Sequence, residues 1–516
     1  MDELNLIMFK TYDIRTKAEA MDEKRTNRLM RALARYMLDI AKTKTVVIAR
    51  DARLSAPAFM EAAIDVFTNS GLDVIADPLQ SSTCLFYFTC MQHLDAAGVM
   101  ITASHNPESY IGIKLVAPGM KPVAMGSGLE AIKKNYEEDA FTPSCSKGRL
   151  VLACMRDSYI AYSMQLAGVK RNSLKGLSVC AEFLSGSGGY EVVAALQEAG
   201  ADICARHFIP DGRFLYGDPN PIVEASIAPV RHMIGNGAFN LGFCFDGDGD
   251  RMDVMSSDGN QIAPGFNMAV LVPYILDLYG SARSGTCFSE KAWNPQFYTD
   301  VKSIPSALIA IAQHGVGVNI IRNGHSFIKT KLKEHFSDQF LAAVEETAHY
   351  YMNYPVDIHD MSKGFIATEN TLFFALLTCR AFLEHPKEYE KAMQLQKSFF
   401  REREWSLYFE NVSDKMQEVL DDVEAAMVQR GAKIIKTMRD GADLDAVLMR
   451  FGLPETFDAC SKLSYEWWQI VQRISRSEDA ITRWEVVASS AEKCKEINDA
   501  IREIADTYIA SGCAHY

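Results

Sequence analysis

The sequence predicts an α/β protein that closes with a separate α+β unit. Short apolar runs alternate with stretches of helical spacing as far as about residue 383. Beyond that point the texture changes to longer helical stretches around one strand. Composition sets the scale: the 516 residues are 48% hydrophobic and 23% charged, an ordinary globular mix. At about 100–200 residues per domain, that length predicts three to four domains.

The runs at 45–49 (TVVIA), 97–103 (AGVMITA), 177–183 (LSVCAEF) and 239–245 (FNLGFCF) are short and nearly free of charge, as buried parallel strands are. Residues 26–40, 57–70 and 189–199 repeat apolar side chains at three- and four-residue intervals and end near Gly or a polar turn, which predicts helices. Such alternation builds right-handed βαβ units. Between strand and helix, Ser185 to Gly189 (SGSGG) lacks the third glycine of a dinucleotide fingerprint, since Glu191 stands there, and reads as a tight turn. Punctuation at 141–148 (FTPSCSKG), 256–259 and 384–390 (EHPKEYE) sets the expected domains at 1–148, 149–256, 257–385 and 386–516. Within the last, helices are expected at 414–430 and 490–508 and a strand at 481–488.

With 53 Lys+Arg against 66 Asp+Glu, the formal charge is −13, and no basic block interrupts it. Nucleic-acid binding needs a basic stripe and is excluded as the main function, whereas a phosphorylated small molecule needs only a local cationic pocket. No stretch reaches the roughly 18 apolar residues of a membrane span, and the start has no signal-peptide core. The expectation is a soluble cytoplasmic protein. Twelve cysteines without a C-x-x-C pair predict reduced, mostly buried thiols rather than a disulfide frame or zinc site.

Two segments carry chemistry. Residues 245–251 (FDGDGDR) follow an apolar run and set Asp246, Asp248 and Asp250 at alternate positions with glycines between, so one tight loop can aim three hard oxygen ligands at a Mg²⁺ or Ca²⁺ ion. An EF-hand would need Gly and Glu where Arg251 and Ser257 stand. The bland alternative is a solvated acidic turn. Residues 99–115 (VMITASHNPESYIGIKL) place Ser104 on a polar loop just past a strand, where it serves either as a nucleophile or as a turn and cap device. It is not a hydrolase elbow, because Thr102 and Asn106 occupy the required glycine positions.

Taken with TYDIR (11–15), ARDARLSAP (49–57), DPNP (218–221), DVKS (300–303) and NGHSFIK (323–329), these loops resemble the α-D-phosphohexomutases, most closely the phosphomannomutase/phosphoglucomutase branch, along nearly the whole chain. The resemblance implies three similar α/β domains with mixed sheets sandwiched by helices, plus a smaller C-terminal α+β domain, arranged around a central cleft. It implies that Ser104 carries the transferred phosphoryl group and that Asp246, Asp248 and Asp250 hold Mg²⁺ together with it. Arg15 and Lys114 would sit beside the reacting hydroxyl, Lys114 as general acid/base with a pKa lowered by Arg15, Arg251 and the metal. His105 and Arg53 would line the cleft, and Arg251 would pair with phosphate or brace the metal loop.

Two loops depart from the family pattern. Its sugar-reading G-E-x-S-G-H is VEETAH at 344–349, so Glu345, Thr347 and His349 would read the sugar with Lys302 and His325, without either glycine. Its phosphate loop R-x-S-x-T-E-P is RISRSED within 473–483, where Arg473, Ser475, Ser477 and Arg483 would grip the phosphate that is not transferred, against the added acid Asp479. The rival to a binding role in each is an ordinary charged loop. Residues 431–468 have no counterpart and read as an insertion.

The implied activity is a Mg²⁺-dependent mutase interconverting 6-phospho and 1-phospho sugars, with hexose 1,6-bisphosphate as activator. The expected partner is a small phosphosugar, without nucleic acid or membrane, and the expected assembly a monomer or homodimer. TASHNP, rather than SASHNP, favours mannose or glucose phosphates over a phosphoglucosamine mutase. The rivals are a catalytically weak sugar-phosphate-binding protein and a metal-dependent phosphatase.

Overall fold

Three sheets of the protein share one strand topology. In the computed structural model, which describes residues 5–141, 143–221, 223–281, 291–410, 414–475 and 480–516, strand Thr45–Arg50 lies between parallel Asp73–Gln80 and Ala97–Ile101. Antiparallel Tyr110–Ala117 and Ile14–Lys17 follow in sheet order. In the second sheet Ser178–Glu182 lies between parallel Asp202–Arg206 and Leu241–Phe245, followed by antiparallel Met252–Ser256 and Gln261–Ile262. The third repeats it with Gln296–Asp300 between Gly317–Ile321 and Phe340–Val344, then Tyr350–Pro355 and Phe365–Glu369. Helices such as Ala56–Asn69, Gly189–Glu198 and Pro305–Ala312 make the parallel crossovers.

This repetition positions the site. The turn from the third parallel strand to its antiparallel neighbour occurs three times, at residues 102–109, 246–251 and 345–349. Those turns hold the serine, the aspartates and the VEETAH loop. Ligands collect outside the carboxyl ends of parallel strands, so equivalent turns brought together make one site. Helix Thr83–Met91, buried at all nine residues, joins the units. The Thr83 backbone N–H donates to the Asp248 carbonyl at 2.8 Å, and the Tyr87 hydroxyl accepts from Lys329 at 2.9 Å.

The sheets run past the expected boundaries. Leu150–Leu152 pairs with Asp73–Gln80 in the first sheet, Gln261–Ile262 closes the second, and helix Pro386–Gln396 packs on Pro264–Ser281 of the third unit. Polar, turn-rich composition marks a surface loop, and surface loops occur within a domain as readily as between two.

The fourth unit is an antiparallel sheet ordered Lys433–Thr437, Asp443–Phe451, Trp468–Ile474, Ile481–Ala488, Phe400–Phe409 and Ala514–His515. Helices Asp414–Gln429 and Ala491–Ala510 pack on one face through Leu420, Val423, Met427, Ile497 and Ile501. The stretch read as an insertion supplies two of these strands. Its Met438, Leu444 and Leu448 join Val471 against Tyr298, Val301, Ile321 and Ile328 of the third unit. Cys84, Cys90, Cys180, Cys244, Cys379 and Cys494, in strands and helices, are buried and strand residue Cys204 is half-buried, whereas the loop residues Cys145, Cys154 and Cys460 are exposed. Among the described residues no helix is long and apolar enough to cross a membrane.

Candidate active site

Ser104 adopts a left-handed backbone, φ +54°, uncommon for a residue with a side chain. Its loop is held from behind. The Ser104 N–H donates to Thr102 Oγ1 at 2.8 Å, and Thr102 donates to Asp51 Oδ2 at 2.8 Å. Fully buried Arg53 donates to the carbonyls of Ser104, Asn106, Pro107 and Tyr110 at 2.7–3.0 Å, and to Asp51 at 3.1 Å. Arg53 therefore braces the serine loop and does not line the cleft as expected: its donors are all spent on backbone and on Asp51.

The metal loop meets the serine loop at Gly247. A Cβ there would lie 2.7 Å from the Ser104 carbonyl oxygen, so only glycine permits the approach. The DPNP segment seats it, with the Gly247 N–H donating to the Pro219 carbonyl at 3.0 Å. Asp246, Asp248 and Asp250 are buried and present ligand oxygens within 4.8 Å of one another. Each spends one oxygen on the protein. Asp246 Oδ1 accepts from the Asp250 and Arg251 N–H groups at 3.0 and 3.1 Å. Asp248 Oδ2 accepts from Thr83 at 2.6 Å and Lys114 at 2.7 Å, and Asp250 Oδ2 accepts from Lys114. Of the remaining oxygens, Asp246 Oδ2 lies 3.4 Å from Ser104 Oγ, and buried Asp248 Oδ1 and Asp250 Oδ1 have no hydrogen-bond partner.

Burial, reinforced by Asp250 and Asp248, pushes the Asp246 carboxyl well above the ordinary range. Burial acts on Asp250 in the same sense, but Lys114, His349 and Arg251 overcome it and hold that carboxyl well below. The cluster is short of positive charge, and its open donors are hard oxygens. A divalent cation such as Mg²⁺ fits this donor set.

Lys114 departs from expectation. It is buried, and although burial opposes its charge, Asp248 and Asp250 hold its pKa above the ordinary lysine value. Its hydrogen-bond partners are both acidic, so Lys114 serves as a counter-ion of the metal loop. Arg251 lies 3.7 Å from Asp246 Oδ2 and also braces that loop. Arg15 reaches the serine loop through Asn106 Oδ1 at 2.7 Å, and His105 Nδ1 lies 3.3 Å from Ser104 Oγ.

From the third unit, His349 Nε2 lies 3.4 Å from Asp250 Oδ1, and its Nδ1 lies 3.3 Å from Thr347 Oγ1 and 3.4 Å from Glu345 Oε2. Glu345 is buried and already accepts from Tyr351 at 2.5 Å and from Asn323 and the Gly324 N–H, each at 3.1 Å. Thr347 is half-buried. Ala348 stands at φ +70°, so the loop keeps the left-handed turn of a glycine with a Cβ in place. The His325 ring packs edge-on against Tyr12, with centroids 6.1 Å apart, which ties the third unit to the first.

Lys302 meets the fourth unit, where its Nζ lies 2.7 Å from Glu404 Oε2. Arg473 and Arg483 converge on the same carboxylate at 2.9 and 3.3 Å. Ser475 is buried, with its N–H donating to the Ile481 carbonyl at 2.9 Å; Ser477 lies outside the described residues. A series of contacts links this cluster to the serine: Ser104, Asp246, Asp250, His349, Glu345, Asn323 and Asp300, the last bonded to Asn323 at 2.7 Å and two residues before Lys302. Sequence reading gave no role to Asp51, Thr83, Asn323 or Glu404; Asp51 and Asn323 stand in the segments ARDARLSAP and NGHSFIK and so had a signal, whereas Thr83 and Glu404 stand in no motif.

Comparison with known proteins agrees with this geometry. Family models described as phosphoglucomutase/phosphomannomutase, alpha/beta/alpha domains I and II, match residues 6–142 and 157–259. The chain is 28% identical to a phosphomannomutase of Salmonella montevideo over 355 residues, 67% of this chain and 73% of that protein. It is 26% identical to a phosphoglucomutase of Neisseria meningitidis serogroup A over 328 residues, 63% and 67% of the two. A crystal structure of a phosphoglucomutase/phosphomannomutase family protein from Burkholderia thailandensis superposes with a TM-score of 0.75 at 19% identity, over 98% of each chain. With the serine loop, the aspartate loop and the three-fold sheet topology in place, the chain carries phosphoglucomutase/phosphomannomutase domains I and II at 6–142 and 157–259, and over its length it has the fold of solved structures of that family.

Proposed function

We propose that the protein interconverts 6-phospho and 1-phospho forms of mannose, glucose or both, through Ser104 and a bisphosphate intermediate, with Mg²⁺ held by Asp246, Asp248 and Asp250. One observation carries the reading: the Ser104 hydroxyl lies 3.4 Å from a carboxylate of three buried, incompletely partnered aspartates. When bound, the metal supplies charge neutralisation to the phosphoryl oxygens, the main thing a protein can contribute to this transfer. The rest falls to the chain. Arg53 and Thr102 hold the serine loop, and Lys114 and Arg251 offset the aspartates' mutual repulsion. In one half-reaction the bond from phosphorus to Ser104 Oγ breaks as one to the sugar hydroxyl oxygen forms, and the proton that this hydroxyl loses ends on Ser104 Oγ, which is regenerated as a hydroxyl. After the bisphosphate turns over, Ser104 Oγ takes the phosphoryl group from the other end and gives up its own proton, with His105 Nδ1 at 3.3 Å and Asp246 Oδ2 at 3.4 Å in reach. Lys302, Arg473 and Arg483 grip the phosphate that stays. Hexose 1,6-bisphosphate primes the cycle by phosphorylating Ser104.

The test incubates the protein with Mg²⁺, a trace of glucose 1,6-bisphosphate, and mannose 1-phosphate or glucose 1-phosphate in parallel, followed by ³¹P NMR. The expected outcome is 6-phosphate formation that disappears in Ser104→Ala. Release of inorganic phosphate faster than isomerisation would replace the mutase by a phosphatase. A phosphorylated Ser104 without turnover would leave a binding protein.

A further inference from the structure

Arg473 and Arg483 face each other directly across adjacent antiparallel strands. Like charges in that register repel, so the pair needs an anion. Lys302 adds a third cation from the neighbouring unit. All three converge on Glu404: Lys302 at 2.7 Å, Arg473 through Nη2 at 2.9 Å and Nε at 3.1 Å, and Arg483 at 3.3 Å. The backbone delivers this carboxylate through an irregularity. Between Glu402 and Trp405, three steps of the strand Phe400–Phe409 span two steps of its partner, from Val486 to Trp484. A bulge of this kind re-aims one side chain. Here it sets Glu404 among the cations.

We propose that Glu404 is a resident counter-anion in the phosphate-gripping cluster, and that its displacement by the incoming phosphate sets the affinity and release rate of that site. The proposal rests on reading Lys302, Arg473 and Arg483 as the grip on the phosphate that is not transferred. The three cations that meet on one carboxylate are also the groups that would take the oxygens of a phosphate monoester, which carries about −1.5 to −2 at neutral pH. Burial pushes Glu404 upward, but Lys302, Arg473 and Arg483 overcome it and hold the carboxyl down at about 2, so it is ionised throughout the working range. The site is therefore not an open cationic pocket: it exchanges one anion for another. Such exchange keeps the arginines in place between turnovers and weakens phosphate binding enough for it to be released when the bisphosphate turns over.

The experiment measures binding of inorganic phosphate and of glucose 6-phosphate to the full chain by calorimetry at constant ionic strength, in wild type, Glu404→Gln and Arg473→Gln. Glu404→Gln is expected to tighten both ligands about tenfold or more, and Arg473→Gln to weaken both. In turnover, Glu404→Gln is expected to lower KM and kcat together, because release slows. Unchanged or weaker phosphate binding in a folded Glu404→Gln, judged by thermal melting, would overturn the proposal and make Glu404 a brace for the arginines. Should that variant fail to fold, Glu404→Asp, shorter by one methylene, is expected to tighten binding less. A wild-type crystal with glucose 6-phosphate then decides: Glu404 moved off Arg473 and Arg483 supports the exchange, and Glu404 still seated on both refutes it. Inorganic phosphate reports on this cluster even where no isomerisation is found, so failure of the mutase reading is told apart.

Discussion

The serine site and the cluster around Glu404 are opposite in charge. At the serine end three buried carboxylates face Lys114 and Arg251 and leave oxygens without a hydrogen-bond partner; at the far end Lys302, Arg473 and Arg483 meet on Glu404. The first offers hard oxygen donors that fit a cation, and the second is a cationic cluster that holds a carboxylate of the chain itself. On the proposed mutase reading, a sugar bisphosphate that turns over within the cycle would present either phosphate to both environments. The difference teaches how a symmetric substrate would then be handled by an asymmetric protein: one end would be completed by an ion from solution, the other by exchange with a side chain.

Separating the two ends by ligand is the strongest way to break this comparison. Saturating Mg²⁺ is expected to raise the melting temperature of the wild type, by the equivalent of about 2.7 kcal/mol at one hundred times Kd. Asp248→Asn is expected to remove that rise and keep the rise caused by inorganic phosphate, whereas Arg473→Gln does the reverse. Thermal denaturation of each variant with each ligand checks it. Loss of both rises in both variants would mean that the ends are one coupled site.

The same contrast governs how much could be read from the sequence. The serine end is written in contiguous residues, TASHNP and FDGDGDR, because a loop that aims several ligands at one point needs them at fixed spacing. The far end draws on residues 302, 404, 473 and 483, which only the packing of the third and fourth units brings together. Glu404 stands in FREREWSLYF, an ordinary-looking alternation of charges, and the bulge that makes it functional has no local signature. Lys114 was read with Arg15, Arg251 and the metal as its neighbours; its ion pairs with Asp248 and Asp250 span more than a hundred residues and had no local signal. Fold class was legible because strand and helix periodicities are local; the boundaries were not, because a short edge strand such as Leu150–Leu152 reads as loop.

Where the third and fourth units meet, the charge balance responds to pH. Glu346 is held at about 8: burial raises it, Arg401 at 3.5 Å opposes only in part because that guanidinium binds Glu485 more closely, and Asp300 and Glu485 add repulsion. Its folded pKa lies above the unfolded value of about 4.3. The stabilisation is therefore complete below the unfolded pKa and is lost as pH rises through about 8. Glu346→Gln, which keeps the shape without the charge, is expected to flatten that decline. Urea denaturation between pH 5 and 9 checks it, and an unchanged slope would place the charge cost elsewhere in the interface.

The smallest effect concerns Ala348, at the turn that matches those holding Ser104 and the aspartates. Its φ of +70° costs an alanine about 1–2 kcal/mol relative to the right-handed region. Glycine would relieve that strain but lose more backbone entropy on folding, roughly 0.5–1 kcal/mol against alanine. Ala348→Gly is therefore expected to stabilise the protein by about 1 kcal/mol or less, read as a small rise in melting temperature. The Ala348 carbonyl accepts from the Met252 N–H at 3.0 Å, and the Glu345 N–H donates to the His349 carbonyl at 3.0 Å, so the loop is tied at both ends and its shape should survive the change. Alanine would then be tolerated because the flanking strands impose the turn, and a fall in stability on Ala348→Gly would show instead that its buried methyl group contributes more than the strain costs.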